Sequence, residues 1–262
     1  PPGSSRLRGI ATWIVVVGSH LVVYAALLYA AWRLGSLAWL LAAAWVMKVS
    51  FSLRLLLETV WQAARCMERD DMACARRLVQ GLVRRDVYRL SPGHVASAAV
   101  ESLAESLVDG YTSPIFYAIL LGPLGALLQR LANTLDGALG FKTSDYLEAG
   151  WASAWVDTLL NYLPARMTAI LFALATPLIG GNPRETLQIW RRYAGVTESR
   201  NAGHPMSAMA GALEVKLEKP GSYVLGVGPL PGPRDMKCGV VLAAAAATAW
   251  LAVATALLLV LD

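Results

Sequence analysis

The chain has 262 residues, of which 56% are apolar and only 16% are charged. Soluble domains usually contain about a quarter charged residues, so this composition excludes an ordinary soluble enzyme, a disordered chain and a disulfide-rich scaffold. The formal net charge is +5. In so apolar a protein, basic residues mainly set membrane orientation and attract anionic lipid. We therefore expect a lipid bilayer as a partner and no nucleic acid.

Three long apolar runs predict membrane-spanning helices, each of which needs about 20 apolar residues. The first run covers residues 9–32, the second covers 34–53 with one lysine near its end, and the last covers 238–261. The first run is longer than the roughly 7–15 residues of a signal-peptide core, so we interpret it as a span and not as a signal peptide.

Two further apolar segments lie in the middle of the chain. Residues 110–129 carry no charge but include Pro114, Gly122 and Pro123. Proline inside a membrane helix frees backbone carbonyl groups, so a broken or re-entrant helix is as reasonable as a clean span. Residues 162–180 are just long enough to cross. The sequence thus predicts an all-α integral membrane protein with about five membrane segments, as a single domain over residues 1–262.

Basic residues predict the orientation of these segments. Eight arginines lie within residues 54–89, and eight lysines and arginines lie within residues 184–237. Basic loops favour the cytoplasmic side, so we expect both of these loops, and the N-terminus, in the cytoplasm. The same distribution of basic residues places residues 133–157 on the outer side of the membrane, or folded back into the membrane.

The loops between the spans have helical patterns. Residues 58–80 have the spacing of an amphipathic helix with mixed charge, which is typical of a solvated or interfacial helix. Ser91 followed by Pro92 is typical of a helix start, with serine as the N-cap and proline as the first helical residue. We expect this helix to end near Asp109.

Cysteine and histidine spacing predicts neither a disulfide framework nor a metal site. The cysteines are Cys66, Cys74 and Cys238, and the histidines are His20, His94 and His204. The cysteines form no C-x-x-C pair, and the histidines lie far apart.

Three carboxylates follow one another along the helix that begins at Pro92. Glu101, Glu105 and Asp109 are four residues apart, so they are expected on one helix face. Like charges at this spacing repel, and Mg²⁺ held by one or two carboxylates, with water and phosphate completing its shell, would balance them. A solvated acidic face is the alternative. The neighbouring apolar segment favours the metal, because ionisable groups there are costly and usually functional.

Polar residues also flank the middle membrane segments. They are Asn133, Asp136, Asp157, Asn161 and Arg166. A polar cavity at the membrane boundary would explain them, whereas loop turns and a helix N-cap are the alternative. A glycine-containing turn that begins at Asn201 precedes another predicted helix and can offer backbone N–H groups to an anion. It does not match a standard nucleotide-binding fingerprint.

Four blocks of sequence together resemble one known family. The blocks are AVESLAE, DG and SPIFY within residues 99–117, NTLD and GFK within 133–142, GWASA and PAR within 150–166, and NAG, PMSAMAGAL and LEKPG within 201–221. Their order and spacing, from about residue 60 to 226, resemble the adenosylcobinamide-phosphate synthases of cobalamin biosynthesis. The stretches that would carry the site are residues 84–109, 130–166 and 199–226.

This resemblance implies a membrane ligase with ATP as co-substrate and Mg²⁺ as cofactor. The family joins an amino-alcohol, aminopropanol or its phosphate, to a propionate of the corrinoid adenosylcobyric acid and gives adenosylcobinamide or its phosphate. An unactivated carboxylate does not form an amide at neutral pH, so phosphorylation would give an acyl phosphate, which the amine would attack. The protein would neutralise charge and position the reactants.

The resemblance also implies roles for individual residues. The catalytic residues would be Glu105, Asp136 and Asp157; the substrate or phosphate contacts would be Asp86, Asn133, Lys142, Asn161, Arg166 and Asn201; and the metal ligands would be Glu101, Glu105 and Asp109. Cytoplasmic ATP implies a multi-pass protein of the cell membrane whose active-site loops face the cytoplasm. This conflicts with the count of basic residues unless the segment at 110–129 does not cross fully or the site lies in a cavity open to the cytoplasm.

The sequence departs from the family pattern at several positions. A glycine-arginine-aspartate-threonine block is here Arg84-Arg85-Asp86-Val87, without its glycine and threonine. Ser106 replaces an asparagine, Trp155 an arginine, Thr158 an acid and His204 a tryptophan. The glycine-aspartate-proline and histidine-proline blocks of the family's first membrane segment are not found in these 262 residues.

Two other functions remain open at this point. One is a non-catalytic membrane sensor or accessory protein of the same superfamily, which the departures favour. The other is a small transporter, since broken helices suit transporters, although the sequence has no visible inverted repeat. The sequence also leaves a homo-oligomer open.

Overall fold

The computed structural model describes residues 5–139 and 148–261. The chain folds into two compact units. Unit 1 contains residues 1–52, 109–161 and 257–262, and unit 2 contains residues 53–108 and 162–256. The prediction of a single domain over the whole chain stays a prediction.

Unit 1 is built from long apolar helices. They are α1 (Arg6–Leu34), α2 (Ser36–Ser50), α6 (Ser113–Leu139) and the shorter α7 (Trp151–Leu160). Gly35 separates α1 from α2 with a φ of 123°, which favours glycine, so the two helices form a tight hairpin. Leu28, Val46 and Leu127 pack in the core between α1, α2 and α6.

Helix α6 is broken at Gly122, which agrees with the broken-helix alternative for residues 110–129. Gly122 has a φ of 66° and a ψ of −161°, and Pro123 follows it. The positive φ is open to glycine without a steric cost, and proline removes a backbone donor. Pro114, in contrast, is the second residue of α6 and does not interrupt it, because proline is tolerated in the first turn of a helix.

Unit 2 contains the remaining elements. They are α3 (Arg54–Glu68), α4 (Met72–Gln80), α5 (Pro92–Leu107), α8 (Tyr162–Ala175), α9 (Pro183–Tyr193), α10 (Gly203–Leu213), β1 (Lys216–Lys219), β2 (Tyr223–Gly226) and most of α11 (Pro233–Leu261). Helices α5 and α10 are buried around most of their circumference. Small residues make this possible, since alanine, glycine and serine let neighbouring helices approach closely.

The start of α5 has the predicted cap. Ser91 accepts a hydrogen bond from the His94 backbone N–H, and Pro92 is the first helical residue. The helix ends at Leu107, close to the predicted end, and continues into a π-helical turn over Val108–Thr112. Strands β1 and β2 form an antiparallel hairpin in which Lys216 pairs with Gly226 and Lys219 with Tyr223.

Two predictions about residues 58–80 are wrong. This segment is not one helix, because α3 ends at Glu68 and α4 begins at Met72, with Asp70 at a φ of 56° and Asp71 capping α4 through the Cys74 N–H. The turn brings Cys66 and Cys74 together, and the structure joins them in a disulfide. Spacing alone hides this pairing, because only the turn makes these cysteines neighbours.

Within the residues that the structure describes, five helical stretches are long and apolar enough to cross a bilayer. They are Arg6–Leu34, Ser36–Glu68, Pro92–Leu139, Tyr162–Ile179 and Pro233–Val260. The third is much longer than the predicted 110–129 because α5 and the π-helical turn run into α6. The prediction of an all-α integral membrane protein with about five membrane segments is confirmed.

Candidate functional site

The side chain of Asn161 lies at the centre of a buried polar cluster in unit 1. Its Nδ2 donates hydrogen bonds to Asp109 Oδ1 and to Asp157 Oδ1, both at 3.0 Å. Its Oδ1 accepts one from Ser113 at 2.5 Å and one from Gln129 Nε2 at 3.2 Å. All donor and acceptor positions of this amide are therefore used. We call these five residues, together with Asn133 and Asp136, the Asn161 cluster.

Local structure explains how the chain assembles this cluster. Asp109 lies in the π-helical turn and Ser113 begins α6. Asp157 and Asn161 are one turn apart at the end of α7, where Asn161 is the C-cap. Residues four apart share a helix face, so the amide of Asn161 reaches back to Asp157. The predicted residues Asp109, Asp157 and Asn161 are thus brought together.

The surroundings of the Asp157 carboxyl group disfavour its ionised form. Its carboxylate accepts a hydrogen bond from Asn133 Nδ2 at 3.2 Å. Burial, followed by repulsion from Asp136, raises the pKa of Asp157 to about 6, although hydrogen bonds from Asn133 and Asn161 oppose the shift. A carboxyl group with a pKa near neutral is suited to accept and return protons.

Two members of the Asn161 cluster were not predicted from the sequence. Gln129 and Ser113 are both completely buried. Each is an uncharged polar residue inside an apolar run, and this was the pattern that could have identified them, because a polar group buried in a membrane segment needs a partner.

Glu101 lies in unit 2, in a different set of contacts. One carboxylate oxygen, Oε2, accepts from Arg85 Nη2 at 2.9 Å and from the Tyr223 hydroxyl at 2.8 Å, and the other accepts from Ser97 at 2.6 Å. The Glu101 side chain is 5% exposed. Ser97 also accepts a hydrogen bond from the Glu218 backbone N–H of β1. Hydrogen bonds to Glu101 therefore connect the β1–β2 hairpin, and the loop before α5, to helix α5.

Two side chains of the β1–β2 hairpin, Tyr223 and Glu218, have shifted pKa values. Burial, with help from the Glu101 carboxylate, raises the pKa of the Tyr223 hydroxyl above its usual range. Lys216 lies 3.1 Å from Glu218, and its hydrogen bond lowers the pKa of the Glu218 carboxyl. The protonated Tyr223 hydroxyl is therefore a permanent hydrogen-bond donor to Glu101 at physiological pH.

A third polar group in unit 2 contains Arg166, Asn201 and His204. Arg166 Nη1 donates to Asn201 Oδ1 at 3.4 Å, and its guanidinium lies 3.5 Å from the ring centroid of Tyr162. Trp190 Nε1–H donates to His204 Nδ1 at 2.9 Å. Burial, followed by the charge of Arg166, lowers the pKa of His204 to about 4. His204 is therefore neutral at physiological pH, with its remaining ring proton on Nε2.

Three predicted site residues remain, and they are Asp86, Lys142 and Glu105. Asp86 is exposed and accepts from the Tyr88 backbone N–H and lies 3.5 Å from Arg89. Lys142 lies outside the described residues. Glu105 belongs to unit 2, where its charge contributes to the raised pKa of the Tyr223 hydroxyl.

The predicted metal set of Glu101, Glu105 and Asp109 is not gathered into a cage. Over residues 5–139 and 148–261, no three His, Cys, Asp or Glu side chains are placed to hold a metal ion. The carboxylate of Glu101 already accepts three hydrogen bonds, one of them from a guanidinium. Their roles in metal binding stay predictions.

Comparison with known proteins identifies the family. The family model described as CobD/Cbib protein matches residues 2–245. The probable cobalamin biosynthesis protein CobD of Aeropyrum pernix is 53% identical over 235 residues, which cover 89% of this chain and 73% of that protein. The probable cobalamin biosynthesis protein CobD of Methanothermobacter thermautotrophicus is 39% identical over 224 residues, or 86% of this chain and 74% of that protein.

A third relative is also named as a cobalamin biosynthesis protein. The cobalamin biosynthesis protein CobD of Mycobacterium tuberculosis is 39% identical over 189 residues, which cover 69% of this chain and 60% of that protein. No solved structure matches the chain. Because the family model spans nearly the whole sequence and several relatives agree with it, the chain belongs to the CobD/Cbib protein family.

Proposed function

We propose that this protein is an enzyme of cobalamin biosynthesis that joins an amino-alcohol, or its phosphate, to the propionate of adenosylcobyric acid in an ATP-dependent amide ligation. The observation that carries the proposal is the match to the CobD/Cbib protein family over residues 2–245, together with relatives named as cobalamin biosynthesis proteins. The Asn161 cluster supports it by placing carboxylates and amides in one buried group.

The reaction needs two steps. A propionate oxygen attacks the terminal phosphorus of ATP, which forms an acyl phosphate and releases ADP. The amine, after losing its proton, attacks the acyl carbon, and phosphate leaves. The site must therefore neutralise phosphate charge, position the amine and accept a proton.

Asp157 is suited to accept the proton that the ammonium group loses. Its pKa of about 6 keeps it largely ionised, and so able to accept, at pH 7 and above. Asp136 contributes a second negative charge beside it. Glu105 is the third proposed catalytic carboxylate, and the proposal for it rests on the family resemblance alone.

Asp109 is better suited than Glu101 to act as a metal ligand. Mg²⁺ needs one or two carboxylates, with phosphate and water completing its shell, and the Asn161 amide holds the Asp109 carboxylate in place. Glu101 is already bonded to Arg85, Ser97 and Tyr223. We therefore propose that Asp109 would hold Mg²⁺, which when bound would neutralise charge on the phosphates of ATP. The proposed metal roles of Glu101 and Glu105 rest on the family resemblance alone.

Cationic and amide side chains are proposed to contact the substrates. Arg166 and Asn201 are hydrogen-bonded to each other in unit 2, and a guanidinium is suited to phosphate or carboxylate. Asn133 and Asn161 lie in the Asn161 cluster. Lys142 and Asp86 remain proposed contacts from the resemblance. Since ATP is cytoplasmic, we propose that these residues face the cytoplasm in a multi-pass protein of the cell membrane.

A reconstituted ligation tests the proposal. Purified protein in detergent is supplied with adenosylcobyric acid, aminopropanol phosphate, ATP and Mg²⁺, and the amide product is measured. We expect product only when all components are present, and loss of product in Asp136→Ala and Glu105→Ala. Glu58→Ala is a matched control, because Glu58 is exposed and pairs with the exposed Arg54 in α3. Corrinoid binding without turnover would instead favour the non-catalytic membrane relative.

A further inference from the structure

Helix α9 carries its arginines on one face and its buried residues on the other. Arg184, Arg191 and Arg192 are exposed. The second and third follow Arg184 by close to two helical turns, so the three side chains leave α9 on the same side. Thr186 is buried and Trp190 is half-buried on the opposite side. We call Arg184, Arg191 and Arg192 the α9 arginines.

The buried face of α9 is fixed against the end of the candidate membrane span Tyr162–Ile179. Thr186 Oγ1 and Thr176 Oγ1 share a hydrogen bond of 3.1 Å. A Cβ atom at Gly211 of α10 would lie 2.9 Å from Ile189 Cβ and 3.0 Å from Thr186 Cα, so a larger residue there would push α9 away. These contacts hold the first half of α9 beside the last turn of the span.

This span stays apolar and exposed to its end. Leu174 is 70% exposed and Leu178 is 67% exposed, and exposed apolar side chains in a membrane span are expected to contact lipid. Arg192 lies six residues beyond Thr186 in α9, which is a rise of about 9 Å. That distance is about one Debye length at 0.1 M salt. The α9 arginines therefore lie close enough to the membrane boundary to interact with charges there.

The charge of the α9 arginines is not neutralised within the protein. None of the three pairs with a carboxylate of residues 5–139 or 148–261. Arg192 lies 5.4 Å from the ring centroid of Tyr193, a contact that leaves its charge in place. Glu185 is the acid of α9, and it accepts a hydrogen bond from Asn182. The exposed face of α9 thus has an excess of positive charge.

Anionic lipid headgroups match this surface in charge and in position. A guanidinium binds a phosphate group through paired, charge-assisted hydrogen bonds. Phospholipid headgroups surround the end of any membrane span, so they are already present beside α9. The distribution of basic residues predicts that residues 184–237 lie in the cytoplasm, and the cytoplasmic leaflet is the one that carries anionic lipid.

We propose that Arg184, Arg191 and Arg192 form a docking surface for the headgroups of anionic phospholipids that surround the end of the Tyr162–Ile179 span. The arginines bind the phosphate groups, and the packing of α9 on α10 and on Thr176 holds them in place. This surface is independent of the proposed ligation, because it needs neither corrinoid nor ATP.

Retention of defined lipids by the full chain tests this inference. The protein in a non-ionic detergent is incubated with equal amounts of phosphatidylglycerol and phosphatidylcholine of the same acyl chains, and native mass spectrometry counts the lipids retained. We expect the wild type to prefer phosphatidylglycerol. The combined variant Arg184→Gln, Arg191→Gln and Arg192→Gln should lower that preference at least about fivefold, which is the contribution of one arginine near an anionic surface.

A matched control removes the same charge from another surface. Arg65, Arg69 and Arg77 are exposed residues in and beside α3 and α4, and they share this surface with the exposed acids Asp70 and Asp71. The combined variant Arg65→Gln, Arg69→Gln and Arg77→Gln loses as much positive charge as the α9 variant. We expect it to keep the wild-type preference to within about twofold, because nearby acids already offset those arginines.

Four results would overturn the inference. Equal retention of the two lipids by the wild type would do so, whether or not the variants fold. So would an unchanged preference in the folded α9 variant, or an equal loss in the control, since net charge alone would then explain the selection. Release of phosphatidylglycerol by inorganic phosphate at the same concentration would indicate an ion site and not a lipid surface.

Discussion

The guanidinium Nη2 of Arg85 lies 2.9 Å from the Oε2 atom of Glu101, and both side chains are largely buried in unit 2. The same oxygen accepts from Tyr223, so the pair ties the loop before α5 and strand β2 to one carboxylate. Removing one member of a buried ion pair leaves the other charge without compensation. This relationship makes Glu101 a structural residue of unit 2.

We therefore expect Glu101→Ala to destabilise the protein by about 3–5 kcal/mol. Thermal unfolding in detergent measures the effect, and Glu58→Ala provides a comparison because its partner Arg54 is exposed. We expect little change in the Tm of Glu58→Ala. A normal Tm in Glu101→Ala, combined with a loss of Mg²⁺-dependent activity, would show that Glu101 acts through metal instead.

Asp157→Asn should make the protein more stable near pH 8. Asparagine keeps an oxygen that accepts from Asn133 and Asn161 but carries no charge for Asp136 to repel. The folded pKa of about 6 exceeds the unfolded value of about 3.9. The stabilisation of the folded state by protonated Asp157 is therefore fully present below about pH 4. It is lost as the pH rises through about 6, which lowers the free energy of unfolding by up to about 3 kcal/mol.

The measurement is Tm against pH, from 4 to 8, for wild type and Asp157→Asn. We expect the curves to converge near pH 4, to separate as the pH rises from 4 to 6, and to run parallel above about pH 7, with the variant higher. Ligation activity should fall in the same variant, because the proposed proton acceptor is gone. A variant that is less stable than wild type at pH 8 would show that the Asp157 charge is favourable and that its pKa is not raised.

His204 should remain neutral across the physiological range. Burial and Arg166 hold its pKa at about 4, and Trp190 donates to its Nδ1. Nitrogen-15 NMR of labelled histidine should show no titration of His204 above pH 5. Arg166→Met should move the midpoint upward, because one of the two causes is removed. A midpoint of 6 to 7 in the wild type would contradict this assignment.

The sidedness of the candidate site can be measured at Thr134. This residue is exposed near the end of α6, one turn of helix from Arg130, whose carbonyl its hydroxyl contacts. With Thr134→Cys in sealed vesicles of known orientation, a membrane-impermeant thiol reagent should label from the cytoplasmic side. Wild type provides the background from Cys238. Labelling only from outside would support the orientation given by the basic-residue count and contradict a site that uses cytoplasmic ATP.

Physical reasons explain which features the sequence could predict. Helix length and hydropathy determine membrane spans, so all five could be predicted, and Gly122 before Pro123 predicted the break in α6. The Asp157–Asn161 contact follows from a spacing of four residues. These features depend on neighbouring residues alone.

Other features depend on geometry that the sequence does not display. In a helix of constant pitch, Glu101 and Asp109 would lie on one face. The π-helical turn at Val108–Thr112 alters the register of that face. The two residues also belong to different units. The Cys66–Cys74 pairing depends on the turn at Asp70. Residues 68–71 are four charged residues in a row that end in the cap residue Asp71, so the break had a local signal that the interpretation of residues 58–80 as one helix did not use.

Isotope transfer in the ligation tests the central claim most directly. Adenosylcobyric acid labelled with oxygen-18 in the reacting propionate is incubated with protein, ATP, Mg²⁺ and aminopropanol phosphate. An acyl phosphate intermediate predicts that one labelled oxygen appears in inorganic phosphate and one stays in the amide. Label in AMP, or amide formed with no label in phosphate, would contradict the account.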